Sequence, residues 1–302
     1  MSVYSNGFIL DGALEKVKSY VDLPDTGARF SDAWLVKHEI SSALTDVVHR
    51  VSQWASDFAE MTFDITTVVG QKEYAIPPGI RSVTRLVDLD SNSNETGQYL
   101  PRHRDHPLGF GWRIEANELV LQSAPTSVQT FRIYYTITGD IGLCSDETTG
   151  ATLASGVWTL PGSVDLGVVD RREHAYVGHI LRVKPSSGPI EERIIATHVW
   201  DGSDWDLTTR TDFPDEITDG SYSFEIVPWG VSALWECVAL RAALRLGTKL
   251  SMTQKDTMLL TREYQSALKT AFETHEFKQG RRNPYLHKDS ITSDSYNFLP
   301  RT

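Results

Sequence analysis

Apolar residues recur at helical spacing mainly towards the two ends of this chain. Between Ser31 and Phe58 one stripe takes in Ile40, Leu44, Val47, Val48, Val51, Trp54, Ala55 and Phe58. A second stripe falls at Val231, Leu234, Trp235, Val238 and Ala242, and a third at Leu259, Leu260, Tyr264, Leu268 and Phe272. Stripes this wide must be buried against another element, and the simplest partners are the helices at the opposite end. A shorter helix is expected over about 11–21, with Leu14, Val17 and Val21 on one side, broken at Asp22 to Gly27. Ser31 or Asp32 can cap the long second helix, which at about 1.5 Å per residue would reach roughly 40 Å. Gly247 is the expected C-terminal cap of the third helix. Thr253 with Asp256 resembles a capping box for the fourth, which is expected to end near Phe277.

From Thr62 the period changes to alternation and turns. Strands are expected over 62–69, 82–89, 118–121 and 130–137, with a short extended piece before Pro77 and Pro78. Their spacing fits antiparallel pairing in a small sandwich or barrel. Residues 139–156, rich in Gly, Thr, Ser and Asp, read as a linker into a second β unit. That unit offers strands over 176–183, 192–200, 205–209 and 222–227, with a hairpin turn at Asp201 to Asp204, and has room for a five- or six-stranded barrel. After Gly280 no period remains, yet Tyr285, Leu286, Tyr296, Phe298 and Leu299 are present. Such a segment reads as a tail ordered only by a partner. The expected class is α+β: a helical bundle of residues 1–61 with 228–280, an antiparallel β unit at 62–140, an inserted small β-barrel at 141–227, and an extended C-terminal docking arm at 281–302.

Bulk composition narrows the function. With 29 basic and 40 acidic side chains, the formal charge of −11 disfavours gripping nucleic acid, where Lys and Arg on phosphates dominate. It suits a surface that DNA must pass without sticking. Cys144, expected in a loop, and Cys237, on a helical stripe, have no Cys or His at metal spacing, so reduced thiols are expected. Neither a signal peptide nor a membrane-spanning apolar run is expected. Phosphate loops, a nucleophile elbow and a His-Glu-x-x-His pair are missing from the sequence. No enzyme activity, cofactor or metal is therefore expected.

The weaker constellations each have a bland counterpart. His103 and His106 have only Asp105 as a nearby third ligand, and an exposed polar loop explains them. Asp201, Asp204 and Asp206 lack EF-hand spacing and suit a hairpin. The pairs Asp22 with Asp25 and Glu191 with Glu192 could serve glycoside hydrolysis, but forty acids in one chain make such pairs by chance. Lys278, Arg281, Arg282 and Lys288 either complement the end of the last helix or form a docking segment with the neighbouring aromatics. Trp54 and Trp235 read as core. Trp200 and Trp205 flank the expected hairpin as surface aromatics, and either bind sugar or protein or are half-buried packing.

Several stretches resemble the head-to-tail adaptor (connector) proteins of short-tailed and related tailed bacteriophages. They are the long helix from Asp32, then Phe63 to Pro77 with its Gly70-x-x-x-Tyr74-x-Ile76-Pro77 pattern, then Glu118 to Pro125 and Arg132 to Tyr135. The segments Gly178 to Val183, Glu192 to Ile195 and Tyr222 to Ile226 are similar to a small barrel recurrent in phage virion proteins. The resemblance covers about 32–140 and 227 to the end, and the inserted barrel departs from the shortest adaptors. It implies a structural virion protein of the neck and tail, assembled in the bacterial host cytoplasm. It further implies a homo-oligomeric ring, commonly dodecameric, between the portal protein and the tail or nozzle proteins. DNA would pass through the lumen without specific binding, and no membrane would be involved. Arg281, Arg282, Tyr285, Leu286, Tyr296, Phe298 and Leu299 would form the portal-binding arm. Two alternatives stay open: a cell-wall hydrolase, and a carbohydrate-binding tail module using Trp200 and Trp205.

Overall fold

The computed structural model describes residues 12–23, 30–54, 60–100, 102, 111–116, 118–137, 143–185, 189–228 and 234–279. The class is α+β, with a closed six-stranded barrel and two further sheets.

Helix α1, Ala13–Tyr20, buries Ala13, Leu14 and Val17. Ser31 then opens the second helical stretch, its hydroxyl accepting from the Trp34 amide at 3.3 Å. The stretch is not one α-helix. It runs as α2, Asp32–Trp34, a π segment, Leu35–Ile40, and α3, Ser41–Trp54. A π turn closes i→i+5, so it inserts a residue and turns the following face. Here Glu39 is fully buried among Leu35, Val36 and Ile40, beside Arg245 and Lys249 of α4, Trp235–Lys249. The expected stripe from Ile40 through Val51 is buried. Ala55 and Phe58, and the side chain of Trp54, lie outside the described residues.

Helix α4 is apolar almost all round, burying Trp235, Val238, Ala239, Ala242, Ala243 and Leu246 among others. That composition suits a helix enclosed on several sides. It lies against α1, the π segment, α3 and α5, Gln254–Gln279. Gly247 is not its cap. The cap is Leu250, followed by Ser251 at φ 56°, while the Met252 amide donates to the Gly247 carbonyl at 3.0 Å. This is a Schellman ending with serine at the left-handed position glycine usually fills. Gly247 instead leaves room for Met252, whose Sδ would lie 2.3 Å from an added Cβ. At the start of α5, the Thr253 hydroxyl accepts from the Asp256 amide at 3.2 Å and donates to its carboxylate at 2.6 Å. Leu260, Tyr264 and Leu268 are buried as expected, whereas Leu259 is 56 % exposed.

The first β unit holds two sheets. One has the order β1-β7-β3-β4, formed by β1 Glu60–Thr66, β7 Thr130–Ile137, β3 Ile80–Leu89 and β4 Glu95–Tyr99. The other has the order β2-β6-β5, formed by β2 Glu73–Ala75, β6 Glu118–Leu121 and β5 Trp112–Glu115. Strands β4 and β5 carry no expected pattern: β4 is exposed at every position and β5 at all but Trp112. Tyr74 locks the intervening turn, its hydroxyl donating to the Gln71 carbonyl at 2.8 Å and accepting from the Val68 amide at 3.1 Å.

The barrel corrects the expected linker. Cys144–Ala154 is strand β8, paired with β14, Gly220–Val227, and with β9, Val157–Leu160. Its polar composition misled because the polar groups are used internally. Asp146 is buried, and its carboxylate accepts from the Thr149 and Gly150 amides at 2.6 and 2.7 Å, shaping a bulge. Gly150 sits at φ +74°, and a Cβ there would meet the Tyr222 carbonyl oxygen at 2.4 Å. Cys144 is therefore a buried strand residue. The ring continues from β14 through β11, Ile180–Lys184, β12, Glu191–Trp200, and β13, Trp205–Thr209, to β9, which closes on β8. Strand β10, Leu166–Gly167, adds to β8 outside the ring. The strand expected from Tyr176 starts only at Ile180, because Tyr176 to Gly178 form turns that bond back on themselves and on Ile195.

Candidate functional site

Strands alternate their faces, so every second residue follows one surface. In β9, β12 and β13 the registers Leu207↔Trp158, His198↔Leu207, Trp205↔Leu160 and Trp200↔Trp205 place these side chains on a common face. Trp158, Leu160, His198 and Leu207 are buried, while Thr159, Thr197 and Thr208 point the other way. The apolar file is thus the barrel's inner face, and at the β12–β13 hairpin it runs out to the rim. Asp201 builds that hairpin: its amide donates to the Asp204 carbonyl at 3.1 Å, and its carboxylate accepts from the Ser203 and Asp204 amides at 2.7 Å each.

At the rim Trp200 and Trp205 meet with ring centroids 5.4 Å apart and planes inclined by 54°. Trp200 is 46 % exposed, while Trp205 is half-buried. Behind Trp205 the His198 ring stacks at 4.6 Å and 24°, and Tyr176 lies 4.8 Å beyond His198. Both indoles face a hollow of about 500 Å³, whose walls include Leu160, Pro161 and Val169. Its polar lining comes from Arg171, Glu173, Ser203 and Asp204. The Arg171 guanidinium donates to the Gly162 carbonyl at 3.3 Å, tying the two sides of the wall.

The groups around Tyr176 titrate abnormally because they are buried. Burial pushes His179 and His198 down to about 4, although Asp170 opposes it in both cases. Burial likewise lowers His174 and pushes the Cys144 thiol up to about 12. Asp170 is engaged by Arg172 at 2.9 and 2.5 Å, and its amide donates to the Tyr176 hydroxyl at 2.6 Å. His198 and Tyr176 are thus the aromatic underlay of Trp205. Sequence reading found the two tryptophans and the hairpin but missed His198, Tyr176, Arg171 and Glu173. The i, i+2 spacing of His198 and Trp200 was the available signal.

Other candidates disperse. Glu191 and Glu192 pair with different arginines, Arg193 at 3.4 Å and Arg182 at 2.7 Å. Asp206 accepts from the Thr159 hydroxyl at 2.9 Å, and Asp201 and Asp204 belong to the turn. No cluster of three or more His, Cys, Asp or Glu able to hold a metal occurs among the described residues. No described helix is long and apolar enough to cross a membrane. His103, His106, Asp25, the side chain of Lys278, Lys288 and the arm residues Arg281, Arg282, Tyr285, Leu286, Tyr296, Phe298 and Leu299 lie outside the described residues.

A second polar concentration joins helices from distant parts of the sequence. Glu236 of α4 is met by Lys16 and by the Tyr20 hydroxyl of α1. Burial opposes its ionisation, but these two partners outweigh burial and hold the carboxyl below its usual range. Asp46 of α3 accepts from Arg241 at 2.9 and 3.0 Å and lies 3.3 Å from Arg245. Glu39 pairs with Lys249. No protein-family model matches this chain, and no curated protein matches it either.

Proposed function

We propose that the chain is a structural subunit of a phage head-to-tail adaptor, assembling as a closed ring between the portal and the tail. The observation that carries the proposal is the set of ion pairs tying α1, the π segment and α3 to α4 across about two hundred residues of sequence. Both β units are inserted between these helices in the chain. On this reading the N- and C-terminal helices act as one bundle, the platform of the subunit, and the β units are appendages for neighbouring parts. Head-to-tail contacts between identical subunits close into a ring when the rotation allows, and a conduit requires such an axis. A net charge of −11 supports a channel wall that does not retain duplex DNA, because continuous Lys and Arg would bind its phosphates. In this scheme residues 281–302 dock on the portal through Tyr285, Leu286, Tyr296, Phe298 and Leu299, with Arg281 and Arg282 facing acidic portal surface.

Imaging the chain bound to portal tests the scheme. A closed ring coaxial with the portal is expected, and a single copy or a two-fold dimer would sink it. Truncation after Gly280 should leave the thermal melt of the subunit unchanged while abolishing portal attachment. Undiminished attachment would remove the arm assignment.

A further inference from the structure

We propose that the hollow at the barrel rim is a binding site for a neutral saccharide, with Trp200 as its platform. This does not depend on ring assembly. The volume of about 500 Å³ lies within the range of small-molecule sites, roughly 300–1,000 Å³, and suits a few sugar rings. A sugar has an apolar CH face and a periphery of hydroxyls, so it needs an aromatic plane beside mixed donors and acceptors. The rim supplies both. Trp200 is 46 % exposed although its neighbour Trp205 is held from behind by the His198 stack, so the indole pair is a supported surface.

The lining carries both signs of charge, which disfavours an anion. Glu173 and Asp204 line the hollow and would repel an anion. Arg171 lines it too and offsets one of the two carboxylates, so the lining is of mixed sign and not a strongly charged site. A neutral ligand can use all three: its hydroxyls donate to the carboxylates and accept from the guanidinium. Ser203 adds a hydroxyl that donates to the Asp201 and Asp204 carboxylates at 3.0 and 3.2 Å, so its oxygen faces a ligand as an acceptor.

The test titrates the full chain with chitotetraose and with maltotetraose, following tryptophan fluorescence and calorimetric heat. Saturable binding of at least one tetrasaccharide is expected. Trp200→Ala should weaken it by about tenfold or more, since a central aromatic platform carries much of such an interface. Glu173→Gln should weaken it by roughly threefold to tenfold through one altered acceptor. Both variants should keep the wild-type thermal melt, because neither side chain is buried. Absence of binding by both sugars, or equal affinity in Trp200→Ala, overturns the site. Choline and inorganic phosphate serve as charged probes, and tighter binding of either one, lost in Trp200→Ala, overturns the neutral assignment.

Discussion

The two β units treat their strand edges in different ways. The barrel closes on itself through β8 and β9, so its ring has no free edge. The first unit stays open, with β1 and β4 as the edges of its main sheet. Segments flanking the barrel strands reach this unit: Arg210 donates to the Thr62 carbonyl and hydroxyl of β1 at 2.8 and 2.7 Å, and Tyr135 of β7 donates to the Val177 carbonyl at 3.2 Å. Its β4 edge is exposed at every residue. Closure also lets the barrel bury charge and imidazole that an open sheet leaves at the surface. In the barrel Arg182 lies 2.7 Å from Glu192 and 3.4 Å from fully buried Glu225. In the open unit the comparable pair is Arg132 with Asp64 at 2.8 Å, partly exposed on both sides.

The largest break in this comparison should come from those two arginines. Arg182→Met removes the cation facing a fully buried carboxylate, and such a loss costs about 3–5 kcal/mol. Arg132→Met removes a solvent-screened pair and should cost at most about 1 kcal/mol. Urea denaturation of both variants measures the difference; equal losses would show that closure does not set the cost.

Glycines sharpen it next. Gly150 in the barrel and Gly97 in β4 share a left-handed φ, +74° and +80°. Gly97 has open space around its missing Cβ, so Gly97→Ala carries backbone strain alone, about 1 kcal/mol. Gly150→Ala adds a clash with the Tyr222 backbone and should cost roughly 3 kcal/mol. Thermal melts of the two variants give the order, and an equal shift would mean that the bulge relaxes.

These same features explain what the sequence concealed. The helical stripes were legible because Ile40, Leu44, Val47 and Val51 repeat at turns of one face. Strands β7 and β12 were legible because their apolar positions alternate or cluster. Strand β8 was not, since Asp146 and Gly150 are turn-formers in a sequence and bulge-makers in a closed barrel. The π segment was hidden because it lies at Leu35–Ile40, ahead of the stripe that begins at Ile40, so the inserted residue does not interrupt that stripe. At the rim the aromatic pair could be anticipated from the hairpin, whereas Arg171 and Glu173 arrive from a loop that only the closed barrel brings alongside.

Acid should act on the barrel before it reaches carboxylates. Burial holds folded His179 and His198 near 4, below the ordinary value of about 6.5. Lowered folded values mean that the unfolded chain takes up protons first, so stability is full above about 6.5 and falls as pH drops towards 4. Between pH 7 and 5 each histidine should remove about 2 kcal/mol. Replacing the stacked ring, His198→Phe, should flatten the stability profile across that window. A profile with unchanged slope would mean that His198 does not titrate on unfolding.

The smallest effect is expected at the tip of the open unit. Val68, Val69 and Val128 are 55, 57 and 65 % exposed. The tip is held by backbone: the Thr67 amide donates to the Gln129 carbonyl at 2.8 Å and the Gly70 amide to the Pro125 carbonyl at 3.0 Å. Neither bond involves a valine side chain, so Val68→Ser combined with Val128→Ser should shift stability by no more than about 0.5 kcal/mol. Exposed apolar clusters on a soluble fold commonly mark contact surfaces, and an open sheet offers such a tip where the closed barrel offers a hollow. In the adaptor reading the double variant therefore melts like the wild type but adds to portal less completely. An unchanged melt with unchanged ring occupancy would leave the tip without a role in assembly. A melt lowered by several degrees would instead show that these valines pack within the subunit, and the contrast between an open unit that reaches outward and a barrel that closes inward would fail at this point.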